Sequence, residues 1–183
     1  RFAECLIPLI DKNETSAIDI ATETIDNFQN IYEEKWLNMM RNKLGLFGNN
    51  KNDKKLINDL LNWMEKNKAD YTNTFCYLMN IKIGNNKIYN DKDFINWSNN
   101  WKKRISTNNS SKEKSLELMK NSNPTIIPRN HKVEEALTAA NEDNLEIMNK
   151  LLSNLDKPYN EQKDIENYQS PSGDKEYQTF CGT

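Results

Sequence analysis

Cysteine is the residue type in this chain with the clearest capacity for chemistry. Cys5, Cys76 and Cys181 show neither a Cys-x-x-Cys spacing nor a ligand spacing to histidine, so the sequence indicates no zinc site and no disulfide framework. Cys5 and Cys76 lie on apolar helical stripes and are predicted to be buried. Cys181 lies third from the end, where no packing role is evident. It is either an incidental exposed thiol or a redox-active, disulfide-forming residue, and the residues alone leave both alternatives open.

Other candidate groups give weaker signals. His131 is the only histidine, and no serine or cysteine stands at a spacing that would make it a catalytic base, so we predict a structural or exposed histidine. Adjacent glutamates such as Glu33 and Glu34 diverge by about 100° around a helix and do not form a carboxylate dyad. Arg104 and Arg129 are the basic residues predicted to be held against carboxylates. We assign no catalytic, cofactor-binding or metal-binding residue from these patterns.

Two tryptophans form part of an aromatic helical stripe. Trp97 and Trp101 lie one turn apart, in line with Phe94 and Ile105. Aromatic residues at this spacing are typical of a core or an interface. The alternative is an exposed Trp97/Trp101 surface that binds another protein, which would make the chain a non-enzymatic helical interaction module. Large apolar exposure on this helix would support that alternative.

The charge balance limits the classes of partner. The 183 residues hold 25 basic and 27 acidic side chains, for a net charge of -2. The two signs are interleaved, so we expect no basic surface that neutralises phosphates and no nucleic-acid partner. No apolar run approaches the roughly 20 residues that cross a bilayer, so no membrane partner is expected. The cysteine usage favours a reducing compartment, the cytoplasm.

The elements that must position these groups are predicted to be helices. Five glycines, five prolines and apolar residues at three- and four-residue intervals predict an all-α fold of about seven or eight helices. We expect one irregular helical domain over residues 1–157 and an extended tail over 158–183, because Pro158 ends the last periodic segment. Asp53 is predicted to cap one helix, and residues 18–43 to form a single long helix. Residues 1–10 look like a buried, uncapped helix, so a C-terminal piece of a larger protein is expected.

Five segments in register give the chain a resemblance to a known family. In chain order they are Lys43-Leu44-Gly45-Leu46-Phe47, Leu60-Leu61-Asn62-Trp63-Met64, Ala69-Asp70-Tyr71-Thr72-Asn73-Thr74-Phe75, Asn123-Pro124 with Arg129-Asn130, and Cys181 near the end. Together they resemble the C-terminal part of selenoprotein O proteins, and the resemblance runs over nearly the whole chain.

The resemblance implies a protein-kinase-like fold that uses ATP and a divalent metal such as Mg²⁺ to transfer AMP to Ser, Thr or Tyr hydroxyls of protein substrates. It places the nucleotide and metal ligands upstream of this chain, so the implied partners are an upstream kinase-like part and the protein substrates. Asp70-Tyr71-Thr72 is not equated with the family's Asp-Tyr-Gly metal motif, because Thr72 replaces the glycine. Cys181 stands where relatives hold cysteine or selenocysteine, which implies a redox role for the tail.

Overall fold

The regular structure of the described residues is helical. A computed structural model describes residues 1–84, 87–163 and 165–172, and within these ranges it contains helices and no strand, which confirms the predicted all-α class. The helices are α1 (Phe2–Ile10), α2 (Glu14–Asp26), α3 (Phe28–Lys43), α4 (Asp53–Asn67), α5 (Tyr71–Leu78), α6 (Lys92–Ser106), α7 (Lys112–Ser122), α8 (Asn130–Asn141), α9 (Glu146–Leu155) and the short α10 (Glu166–Gln169). Lys87–Asn90 forms a 3-10 turn. Among the described residues, no helix has the length and apolar character that crossing a membrane requires.

The first compact unit, Arg1–Met39, has almost no interior. In it α1 packs against α2, which begins at an Asn13 cap that accepts a hydrogen bond from Ser16 N at 3.0 Å. Ala17 is the only buried residue of this unit. The predicted burial of α1 and of Cys5 is wrong, since α1 has no buried residue and Cys5 is exposed. The physical reason is that α1 is apolar on most sides, and one neighbouring helix covers one side.

The long helix predicted over residues 18–43 is two helices. Asn27 separates α2 from α3, and its side-chain oxygen accepts a hydrogen bond from Asn30 Nδ2 at 3.1 Å. The interruption is slight, because Asn27 N still donates to the Glu23 carbonyl at 3.0 Å and Ile31 N donates to the Asn27 carbonyl at 3.2 Å. Apolar spacing continues through the interruption, so hydrophobic periodicity alone could not reveal it.

The second unit begins at Met40 and has a conventional core. Here α4 packs against α6, with Ile57 fully buried on α4 and Phe94 buried on α6. An aromatic cluster continues this core: the Trp63 and Phe94 rings lie 4.6 Å apart, and Tyr77 stacks on Tyr89 at 4.0 Å. Aromatic side chains remove large apolar areas from water, so this cluster is a main source of stability for the unit.

The described start of the predicted tail is hydrogen-bonded to earlier residues of the second unit. Thr125 N donates to the Pro158 carbonyl at 2.7 Å, and Gln169 Nε2 donates to the Thr125 carbonyl at 2.9 Å. Asn73 Nδ2 in turn donates to the Gln169 carbonyl at 3.0 Å. The division into 1–157 and 158–183 stays a prediction, and Cys181 lies outside the described residues.

Candidate functional site

Asp70 and Arg129 form the first polar cluster of the second unit. Asp70 caps α5 by accepting from Asn73 N at 2.8 Å, and both of its carboxylate oxygens also accept from the Arg129 guanidinium. The side chains of the pair are only 20% and 10% exposed. This confirms the prediction that Arg129 is held against a carboxylate. The Asp70 carboxylate is occupied by a helix cap and an arginine, which is a structural role.

Cys76 and Lys43 lie close to that pair. Cys76 Sγ faces the carbonyls of Pro124 and Thr125 at 3.8 and 3.9 Å, and its predicted burial is confirmed. Burial raises the pKa of the Cys76 thiol to about 11, with a further contribution from the Asp70 charge. The thiol is therefore protonated at neutral pH and is a poor nucleophile.

Lys43 is a partly buried cation at the end of α3. Its ammonium lies over the rings of Tyr71 and Phe75, at 5.4 and 4.8 Å from the ring centroids, and donates to the Ser122 carbonyl at 3.2 Å. Burial lowers the pKa of Lys43. The aromatic faces and the carbonyl hold the ammonium in place, so Lys43 ties the end of α3 to α5 and α7.

Asp53 forms the second cluster with two arginines. Its carboxylate accepts from Arg41 Nε and Arg104 Nε, both at 2.7 Å, and from Asn50 N at 3.1 Å. Burial by itself would raise the pKa of Asp53, but the hydrogen bonds from Arg104 and Arg41 outweigh it and leave the pKa below its ordinary value. The prediction for Arg104 is confirmed. The N-cap prediction for Asp53 is wrong: Asn52 is the cap, because the Asp53 carboxylate is engaged by the arginines.

A hydrogen-bond network connects Asp53 to the loop after α3. Arg104 Nη1 donates to Asn108 Oδ1 at 2.7 Å, and Arg104 Nη2 donates to the Phe47 carbonyl at 3.0 Å. Asn108 Nδ2 donates to the Gly45 carbonyl at 2.9 Å, and Phe47 N donates to Asn108 Oδ1 at 3.1 Å. The sequence does not reveal this network, because it joins residues 45–53 to residues 104–108 and these two segments share no motif. The network fixes the loop instead of presenting free groups to a ligand.

Trp97 and Trp101 are core residues. Their exposed fractions are 6% and 7%, and the indole N–H groups donate to the carbonyls of Leu56 at 2.8 Å and Leu44 at 2.9 Å. The two ring systems stack in parallel with centroids 6.0 Å apart. The alternative of an exposed Trp97/Trp101 surface that binds another protein is therefore wrong. The α6 stripe is covered by α4 and by the loop after α3, and its polar atoms are paired within the unit.

The remaining predicted groups are not brought together into a site. His131 is half-buried at the start of α8, and burial followed by the nearby Lys132 and Arg129 charges lowers its pKa. Over the described ranges, no three His, Cys, Asp or Glu side chains converge as metal ligands would. Cys181 cannot be placed, because it lies outside those ranges. The Asp53 and Asp70 carboxylates form the buried clusters. Each binds arginine side chains and lies at the start of a helix, α4 or α5.

Comparison with known proteins identifies the family of this chain. The sequence model of the family described as "Protein adenylyltransferase SelO" matches residues 1–156. The chain is 54% identical over its whole length to the protein nucleotidyltransferase YdiU of Pelagibacter ubique, 46% identical to that of Bacillus cereus strain ATCC 14579, and 43% identical to that of Clostridium perfringens strain 13.

The match covers all of this chain but a minor part of those relatives. The chain spans 38% of the length of each of the three. Most of each relative thus has no counterpart among the 183 residues. With the family model matching the greater part of its length, the chain belongs to the SelO family of protein adenylyltransferases.

Proposed function

We propose that the chain is the C-terminal helical region of a protein adenylyltransferase that transfers AMP from ATP to Ser, Thr or Tyr hydroxyls of proteins. The observation that carries this proposal is the family match over residues 1–156. ATP and Mg²⁺ are bound in the part of the longer, kinase-like protein that lies outside this chain. The protein works in the cytoplasm.

The region supports the catalytic part and does not perform the chemistry. Two observations favour this role. The Asp53 and Asp70 carboxylates are each engaged by arginine, and the Cys76 thiol is buried with a raised pKa. A carboxylate acts as a general base or a metal ligand only when its oxygens are free to reach the target, and those of Asp53 and Asp70 are engaged by arginine.

A second element of the proposal is a redox role for Cys181. The sequence holds three cysteines, and the raised pKa of Cys76, about 11, makes that residue a slow partner in thiol-disulfide exchange. The partner of Cys181 in this proposal is a cysteine of the longer protein outside these 183 residues, and their disulfide regulates AMP transfer. Cys5 is exposed and free, so the Cys5→Ser variant distinguishes this pairing from a disulfide between Cys5 and Cys181.

The test is AMP incorporation from α-labelled ATP into protein by the full-length enzyme with Mg²⁺, compared with ATP·Mg binding by the 183 residues alone. We expect transfer by the full-length protein and no calorimetric binding by the shorter chain. Oxidation should change the transfer rate of the wild type and of a Cys5→Ser control, but not of Cys181→Ser. Absence of transfer by the full-length protein, or ordinary ATP affinity in the 183 residues, would contradict the proposal.

A further inference from the structure

The first unit carries an unusual amount of exposed apolar surface. On α1, Phe2 is 77% exposed and Leu9 is 82% exposed. The two are seven residues apart, which places them on the same side of the helix. A side chain as large as leucine or phenylalanine is normally withdrawn from water, so their near-complete exposure on one short helix requires an explanation.

Apolar stripes also run along the next two helices. Ile18 and Ile25 share one side of α2 and are 44% and 57% exposed. Phe28 and Tyr32 share one side of α3, are 63% and 53% exposed, and stack with their rings 6.0 Å apart. We call these residues of α1, α2 and α3 the apolar stripes of the first unit. They have the spacing of helix faces that are buried in folded proteins.

The first unit does not hold enough interior to fold stably by itself. Of its 39 residues only Ala17 is buried. Domains of about 40 residues need a metal, disulfides or association to be stable, because so little surface leaves water on folding. The single cysteine of the unit, Cys5, is exposed and free. The stripes therefore need a covering surface.

We propose that the apolar stripes of the first unit are the docking face for the part of the longer protein that this chain does not include. This inference rests on the proposed function, since it deepens the supporting role of the region. The relatives extend well beyond the match, which covers 38% of their length. A surface on the same polypeptide is present at an effective concentration in the millimolar range, far above that of a second copy. The occupant is an apolar surface of that remaining part.

Hydrogen exchange tests the docking without any assay of activity. Amides of α1 and α2 should exchange at least about tenfold more slowly in the full-length protein than in the 183 residues alone, because covered helices open less often. Amides of α4 and α6 should change little, since their core is complete within the second unit. Equal exchange of α1 and α2 in both proteins would overturn the proposal, even if the full-length protein transfers AMP.

A matched pair of variants separates docking from general destabilisation. Ile25→Glu and Leu152→Glu make the same chemical change at side chains that are each 57% exposed. In the full-length protein Ile25→Glu should abolish the slowing of α1 and α2 exchange, whereas Leu152→Glu should preserve it. Equal effects of the two variants would overturn the proposal. So would a concentration-dependent dimer of the 183 residues, measured by sedimentation, in which the α1 and α2 amides are already protected.

Discussion

Asp53 is an anionic side chain with no solvent exposure, and two arginines hold it there. A buried carboxylate is tolerated only when its charge and its lone pairs are matched, and here Arg41, Arg104 and a backbone N–H supply the match. Arg104 also binds the loop after α3, so the charge of Asp53 stabilises the position of that loop as well as the start of α4.

Replacing Asp53 by asparagine should therefore destabilise the folded chain. We expect Asp53→Asn to lower the free energy of unfolding by roughly 3 kcal/mol, because two guanidinium groups lose their counter-charge. The matched control is Asp59→Asn, which removes an exposed pair with Lys55 and should cost about 0.5 kcal/mol or less. Urea unfolding at pH 7 measures both, and similar values for the two variants would contradict the structural role of Asp53.

The lowered pKa of Asp53 predicts how the stability difference between the wild type and Asp53→Asn depends on pH. The folded pKa of Asp53 is below its ordinary value, so its contribution is present above the unfolded pKa of about 3.9 and is lost as pH falls through the folded pKa. The difference in unfolding free energy between wild type and Asp53→Asn should be constant from pH 7 to about pH 5 and then shrink with further acidification. A difference that grows on acidification would have the wrong sign.

At the scale of elements, the loop after α3 depends on two left-handed residues that differ in their surroundings. Gly45 and Gly48 have φ values of +66° and +69°. A Cβ at Gly45 would lie 2.7 Å from the Ser115 carbonyl oxygen and 3.0 Å from Met119 Cγ, whereas a Cβ at Gly48 would meet no atom within 4 Å. The loop therefore needs glycine at one position for both conformation and space, and at the other for conformation alone.

The two alanine variants test this distinction. Gly48→Ala should cost about 1 kcal/mol for the left-handed backbone alone. Gly45→Ala should cost about 3 kcal/mol, since overpacking against α7 adds to the same strain. Unfolding in urea gives both values, and Gly48→Ala is the control for Gly45→Ala. If the two variants were equally destabilised, the close approach of α7 to Gly45 would not be important for stability.

Helical class and most core positions could be predicted from the sequence, because apolar periodicity encodes both. The Trp97 and Trp101 stripe is a correct example, as is buried Cys76. The break at Asn27 could not be predicted because the apolar spacing continues across it. The Asp53 cluster could not be predicted because its two arginines come from other helices. The exposure of α1 could not be predicted either. A helical stripe shows that one face is apolar, but it does not show which surface covers that face.

At the scale of the whole molecule, the two ends of the chain differ in how much they contribute to the buried core. The second unit has a core that includes fully buried Ile57 and Leu60, whereas residues 1–27 contribute only Ala17 to the buried set. At the other end, Thr125 is 1% exposed and its backbone N–H has Pro158 as its hydrogen-bond partner. Stability should therefore depend on residues after 157 more than on residues before 28.

Two deletions test this expectation. Removing residues 1–27 should change the unfolding free energy of the second unit by less than about 0.5 kcal/mol, as is usual for changes away from a core. Removing residues 158–183 should lower it by at least about 2 kcal/mol, because the buried Thr125 N–H and the Thr125 carbonyl lose their partners. Tryptophan fluorescence during urea unfolding reports the second unit when Trp36 of α3 is replaced by phenylalanine in all variants, since the remaining indoles belong to α4 and α6. An unchanged midpoint after the second deletion would show that residues 158–183 are a dispensable tail. A large loss after the first would show that the second unit depends on α1 and α2.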